Sequence, residues 1–320
     1  MASQIDFGTL SAYIDEQNFP MVTKALIGGR TASMLTPQLG VAGKTKINLM
    51  DVDVVMQDGS GCTWNADGNI DLSQREIDAK QVKINLEFCP KDLQGYYWRT
   101  QMPAGTHQEA LPFEEQFANY LVEKVQNEIE KVIWNGDAVT PAAGNLGMFD
   151  GLVMPRALYT DCNLGTGSFP TPLTGAVTIS NVLEAIERIY VETPSAAVAQ
   201  GDFKIFLSTT HFRVLAAALM NGNGLSSAGG QLNNYTSDFD PLRLIFPGTN
   251  IEIVGVGGLE GTNDIYGMSM ANAFLGVNLS EDSSRLETWY SQDDRKYRVA
   301  MEFTMGVQVA YPDQVGKVIV

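Results

Sequence analysis

The chain has 320 residues, 44% of them hydrophobic and 18% charged, with a formal net charge of −16 from 21 basic and 37 acidic side chains. That is the mix of a folded protein with less charge than the usual quarter, so much of its surface is expected to be neutral polar or covered. The acidity argues against a protein whose main task is gripping phosphates, because that affinity comes from Lys and Arg displacing counterions.

Three scattered cysteines, Cys62, Cys89 and Cys162, suggest neither a disulfide framework nor a zinc site. The start, Met1-Ala2-Ser3-Gln4, has no basic leader and no unbroken apolar run, and nothing in the chain reaches transmembrane length. The expectation is a protein kept in a cytosol or in something assembled there, large enough for one big core or two ordinary ones.

Residues 1–43 hold short apolar clusters (Phe7, Leu10, Tyr13, Ile14; then Met21, Val22, Ala25, Leu26, Ile27) interrupted by Gly28-Gly29. They are too few for a core of their own and predict an arm lying along another surface. From Lys44 the pattern alternates: Ile47, Leu49, Val52, Val54 and Val55 among polar residues, a Gly/Asn/Asp-rich tip, then Val82, Ile84, Leu86 and Phe88 against Lys83, Asn85 and Glu87. Two such runs across a turn-rich tip predict one long antiparallel hairpin.

Pro112 opens the strongest helical signal, with Phe113, Phe117, Tyr120, Leu121, Val125, Ile129, Val132 and Ile133 at spacings of three and four. The helix is expected to stop at Asn135-Gly136, both of which tolerate the left-handed conformation. The pattern then turns α/β. Asn181–Tyr190 predicts a helix, Lys204–Ser208 a buried strand and His211–Met220 a second helix; Asn221–Asn234 predicts an exposed loop, and strands follow near 251–256, 273–279, 297–309 and 315–320.

No motif supplies catalysis. His107 and His211, the only histidines, have no Ser, Cys or second His at a recognisable spacing. Ile253–Gly261 ("IVGVGGLEG") begins like a dinucleotide turn but runs into Thr262-Asn263-Asp264 instead of a helix, which predicts a strand-to-loop turn. Asp67–Asp71 starts like a calcium loop but has Leu72 where glycine is required and Asp78 at the twelfth position, so a hairpin tip is the better reading. Asp293 and Asp294, beside Arg295 and Lys296, predict a solvated turn. No catalytic, cofactor or metal residue is assigned. Trp134-Asn135-Gly136-Asp137 reads as a structural corner: the indole plugs the helix end against Phe149 and Leu152, and Asp137 meets backbone donors in the loop.

The order of arm, long hairpin, long helix ending in "EIEKVIWNGD", return through "LGMFDGL", α/β unit with a glycine loop, and closing strands resembles the major capsid proteins of tailed bacteriophages, the Hong Kong 97-type fold. The resemblance implies an α+β chain with an N-terminal arm (1–43), an extended loop (44–90), a peripheral domain with a spine helix (91–165 and 297–320) and an α/β axial domain (166–296). It implies a structural protein, not an enzyme, that builds hexamers and pentamers of an icosahedral virion head around double-stranded DNA after assembly in the host cytoplasm.

Residues expected at interfaces or corners are Trp64, Phe113, Phe117, Trp134, Asn135, Gly136, Asp137, Asn221, Gly222 and Gly224. Implied partners are other copies of the chain, a separate scaffolding protein, a portal, decoration proteins and, non-specifically, packaged DNA, with no membrane and no cofactor. Some relatives crosslink through a lysine of the extended loop; the tip here, Asp58–Ile70, has none, so no covalent crosslink is expected. The alternatives are an encapsulin-type nanocompartment with the same fold and a soluble α/β enzyme or binding protein.

Overall fold

The computed structural model describes residues 20–58, 60, 64, 67–89, 113–138, 144–153, 176–199, 201–220, 242–246, 248–279 and 285–318. A first helix, α1 (residues 20–27), and strand β1 (Thr36–Leu39) lead into β2 (Lys44–Val52), β3 (Ile70–Asp78) and β4 (Lys80–Phe88). The long helix α2 (Phe113–Asn135) is followed by α3 (Val182–Glu192), the short α4 (Ser195–Val198), β5 (Phe203–Ser208) and α5 (Thr209–Met220). Strands β6 (Arg243–Ile245), β7 (Glu252–Val256), β8 (Ile265–Ser269), β9 (Ala273–Asn278), β10 (Arg285–Ser291), β11 (Lys296–Val309) and β12 (Gly316–Val318) complete the chain.

Two five-stranded sheets and one two-stranded ribbon organise these elements. The first sheet runs β1-β9-β11-β10, with β4 also paired to β11; the second runs β12-β8-β5-β7-β6. β5 pairs parallel to β7 and antiparallel to β8.

The second sheet divides two cores, because alternate residues of a strand face opposite sides. Phe206, Val254, Val256, Tyr266 and Met268 join the larger core with α1, α2 and the first sheet. Phe203, Ile205, Leu207, Ile253 and Ile265 join the core formed with α3 and α5. Helix α2 buries Leu121, Val122, Val125, Ile129, Val132 and Ile133, the stripe that its periodicity predicts, along roughly 35 Å of axis.

Three expectations are corrected. The hairpin partner of β2 is β3, not β4: Lys44 lies opposite Asp78 and Val52 opposite Ile70, whereas β4 pairs antiparallel with β11 from Lys80↔Met305 to Phe88↔Tyr297. β3 has few aliphatic residues, so its alternation is faint beside that of β4, and the eye passes over it. Residues 20–35 are not an arm over another surface, since Val22, Ala25, Leu26, Ala32 and Leu35 are buried in this chain's own core; α2 and the sheets supply the apolar surface that the segment lacks.

The hydrogen bonding also crosses the expected boundary at 296/297. β9 and β10 share a sheet with β11, while β12 pairs with β8. Residues 1–19 of the expected arm, the opening Pro112 of the long helix and the loop Asn221–Asn234 lie outside the described residues.

Candidate assembly interface

The ribbon of β2 and β3 stands on a small core of its own, where Ile47, Leu49 and Ile77 pack with Val41, Ala79 and Ala310. Gln308 ties the base further by donating from Nε2 to the Glu76 carbonyl at 2.8 Å. Only Ala79 separates β3 from β4, and Gly306 of β11 permits the close crossing, since a Cβ there would lie 2.8 Å from the Asp78 carbonyl oxygen.

Beyond the base the ribbon has two distinct faces. Met50 lies opposite Leu72 and Val52 opposite Ile70; the alternation of strands puts all four on one face. All four are exposed, as are Val54 and Met56 beyond them. Asp51 lies opposite Asp71 on the other face. Between Ile47 and Gln74 the sequence has five Asp and neither Lys nor Arg. Trp64, near the turn, is 93% exposed. A contiguous exposed apolar row of this kind is a candidate contact surface.

The long helix ends in the corner that the sequence singles out. Trp134 is fully buried, with ring centroids 5.2 Å from Phe206 and 6.0 Å from Tyr266. Phe149 and Leu152 belong to the same core. The helix carbonyls are satisfied by the returning chain: Leu152 N donates to Ile133 O at 2.7 Å, Val153 N to Trp134 O at 2.9 Å and Gly151 N to Gly136 O at 2.9 Å.

The stop at Asn135-Gly136 is correct but its reason is corrected, because neither residue has a positive φ. Glycine is needed there for space. A Cβ on Gly136 would overlap the Phe149 carbonyl oxygen, and one on Gly151 would lie 2.7 Å from Trp134 O. Asn135 Nδ2 donates to the Gly258 carbonyl. The backbone N–H of Asp137 donates to Leu146 O at 2.8 Å, and the Asp150 carboxylate accepts from Ala138 N at 2.9 Å.

Of the remaining expected residues, Phe117 is half-buried against Phe88 at a centroid distance of 5.2 Å, and Phe113 opens the helix. Asn221, Gly222 and Gly224 lie outside the described residues. His211 is buried at the start of α5, where burial pushes its pKa down.

The sequence reading missed Thr31 and Glu130. The buried Glu130 carboxylate accepts from Thr31 N at 3.1 Å and from Thr31 Oγ1 at 2.6 Å, fastening α2 to the segment after α1. A second buried polar cluster ties β12 to β8. Lys317 Nζ lies 3.0 Å from the Asp264 carboxylate, which also accepts from the Tyr266 hydroxyl at 2.9 Å. Burial pushes Lys317 down to about 8 and pushes Asp264 and Tyr266 upward.

No family model and no curated protein matches the sequence. Solved structures match over nearly its whole length. A chain of the satellite phage P4 procapsid that includes the size determination (Sid) protein superposes with a TM-score of 0.63 at 11% identity, covering 100% of this chain and 98% of that one. The capsid of the empty GTA particle gives 0.56 at 10% identity, covering 90% and 89%, and the capsid of Myoviridae phage XM1 gives 0.52 at 13%, covering 89% of each. The chain has the fold of these capsid proteins, the Hong Kong 97-type fold.

Proposed function

We propose that this chain, with its phage-capsid fold, is a structural major capsid protein whose copies assemble into the hexamers and pentamers of an icosahedral head enclosing double-stranded DNA. The observation that carries the reading is end-to-end likeness to a procapsid chain, 100% of one and 98% of the other, in a molecule whose described residues include an exposed apolar row on the β2–β3 hairpin.

A two-stranded ribbon is at best marginally stable in water, and the distal half of this one keeps Met50, Val52, Ile70 and Leu72 exposed. A neighbour covering that face would stabilise it, which makes stability inseparable from assembly. Contacts between unlike surfaces of identical chains close into rings, and rings of five and six are the units of an icosahedral shell. The low proportion of charged residues suits surface given over to interfaces, and the net charge of −16 suits a wall that must not bind its DNA tightly.

On this reading the hairpin is the extended loop, α2 is the spine helix, and the sheet with α3 and α5 is the axial domain. The chain resides in the virion after assembly in the host cytoplasm, with a scaffolding protein and a portal as assembly partners and decoration proteins on the outer surface. Electron microscopy of the purified, concentrated protein tests the reading. Closed shells with five- and six-fold rings are expected; a monodisperse 34.8 kDa monomer would overturn it.

A further inference from the structure

We infer, on the basis of the shell reading above, that Arg30 is a strut holding the β6–β7 edge of the second sheet against the long helix, and that assembly depends on it. Arg30 is half-buried, and its Nη1 donates to the Leu242 carbonyl and to the Gly255 carbonyl, each at 3.2 Å. That nitrogen carries two hydrogens, one for each acceptor, and bonds from a charged donor are stronger than neutral ones.

The two acceptors lie at one end of a weak element. β6 has three residues (Arg243–Ile245) and, at the edge of the sheet, pairs with β7. Gly255 N extends that ladder by donating to Leu242 O at 2.8 Å. A strand this short on a sheet edge opens locally more readily than the core strands beside it. Leu242 is also the first described residue after the glycine loop at 221–234, so Arg30 fixes where the chain returns from that loop.

The strut has a firm footing on α2. A Cβ on Gly28 would overlap the Lys24 carbonyl oxygen, and one on Gly29 would lie 3.3 Å from the Glu130 carboxylate. The Gly28-Gly29 pair therefore lets the chain pass close to the helix. Gln126 Nε2 donates to Lys24 O at 2.6 Å, and Thr31, the residue after Arg30, is bonded to Glu130.

Between α2 and the second sheet lies a cleft of about 630 Å³, with Gly28, Gly29 and Lys131 on one wall and Thr209, Gly257 and Glu260 on the other. Arg30 spans it. Farther along the helix the gap closes, where Asn135 bonds the Gly258 carbonyl and Trp134 packs against Phe206 and Tyr266. Helix and sheet are thus packed at one point and bridged at another. Without the bridge the packed point becomes a pivot, and the angle between helix and sheet decides how copies meet in a ring.

The test compares the full chain with Arg30→Met, which keeps the length of the side chain and loses its donors, and with Arg30→Lys, which keeps a charged donor. Hydrogen exchange is read by mass spectrometry and particle diameter by electron microscopy. In Arg30→Met the amides of residues 242–256 should exchange roughly tenfold faster, as expected for the loss of a hydrogen bond to a charged donor. Those of β5 should not change, particles should be fewer and uneven in diameter, and Arg30→Lys should restore part of both losses. Unchanged exchange at 242–256, or an equal rise in β5, overturns the strut. Faster exchange at 242–256 with particles of wild-type yield and diameter overturns its part in assembly and leaves the shell reading standing. An unmodified chain that forms no particles overturns the shell reading, and the role in assembly with it.

Discussion

The indole Nε1 of Trp134 donates to the Thr31 hydroxyl at 2.8 Å, and that hydroxyl donates onward to Glu130. The last turn of the long helix is thus bonded to a segment a hundred residues earlier, inside a core that excludes water. A buried polar group keeps its place only when it is paired. Here an indole, a hydroxyl and a carboxylate pair one another, which fixes both the helix end and the segment leading to the hairpin.

Trp134→Ala should therefore cost about 3–5 kcal/mol, the usual loss for deleting a buried aromatic side chain. Trp134→Phe, which keeps most of the volume and loses the donor, should cost less, and Asp137→Asn less again. Urea titration followed by circular dichroism ranks the three. An unchanged midpoint for Trp134→Ala would mean that the corner is not structural.

Gly258 gives a sharper test of the same packing. A Cβ there would overlap Trp134 Cδ1 and the Glu130 carbonyl oxygen, whereas one on its neighbour Gly257 meets nothing within 4 Å. Gly258→Ala should destabilise by about 1–3 kcal/mol, as overpacked cores do; Gly257→Ala should be close to neutral. Equal melting temperatures for the two variants would contradict the close approach of the helix.

Much of this was legible beforehand, because long periodic segments announce themselves. The stripe from Leu121 to Ile133 allowed no reading but a helix, and Lys204–Ser208 is apolar enough for a central strand. What stayed hidden depends on partners remote in sequence. Thr31 carries no local sign that it will meet Trp134, and β3 (IDLSQREID) alternates too weakly to be matched with β2 before their register is known. The glycines at 136, 151 and 258 answer to space rather than to backbone angle, and space is a property of the packed fold.

Lys317 makes stability depend on pH. Its side chain is only 6% exposed, and burial holds its pKa at about 8 against 10.5 for the free side chain. Between those values the unfolded chain holds a proton that the folded chain has shed, so this lysine makes stability rise with pH across the window. The melting temperature of the wild type relative to Lys317→Met should climb from pH 8 to pH 10. A flat difference would show that the lysine stays charged in the fold.

The hairpin tip has no lysine from Asp58 to Ile70, and mature shells should dissolve to single chains on a denaturing gel under reducing conditions. A ladder of multimers there would reveal a covalent bond that this sequence does not predict. Trp64→Ala should leave the unfolding midpoint unchanged, as befits a side chain 93% exposed, and lower the yield of particles. A shift in the midpoint with an unchanged yield would place Trp64 against its own chain.

The hairpin is the element expected to join copies. Sedimentation velocity of the wild type beside a variant with residues 53–69 replaced by a short turn tests this most directly. The wild type should sediment as closed particles of megadalton mass, and the shortened chain, its cores intact by circular dichroism, as small oligomers or monomers. Particles of the same size from both chains would contradict it.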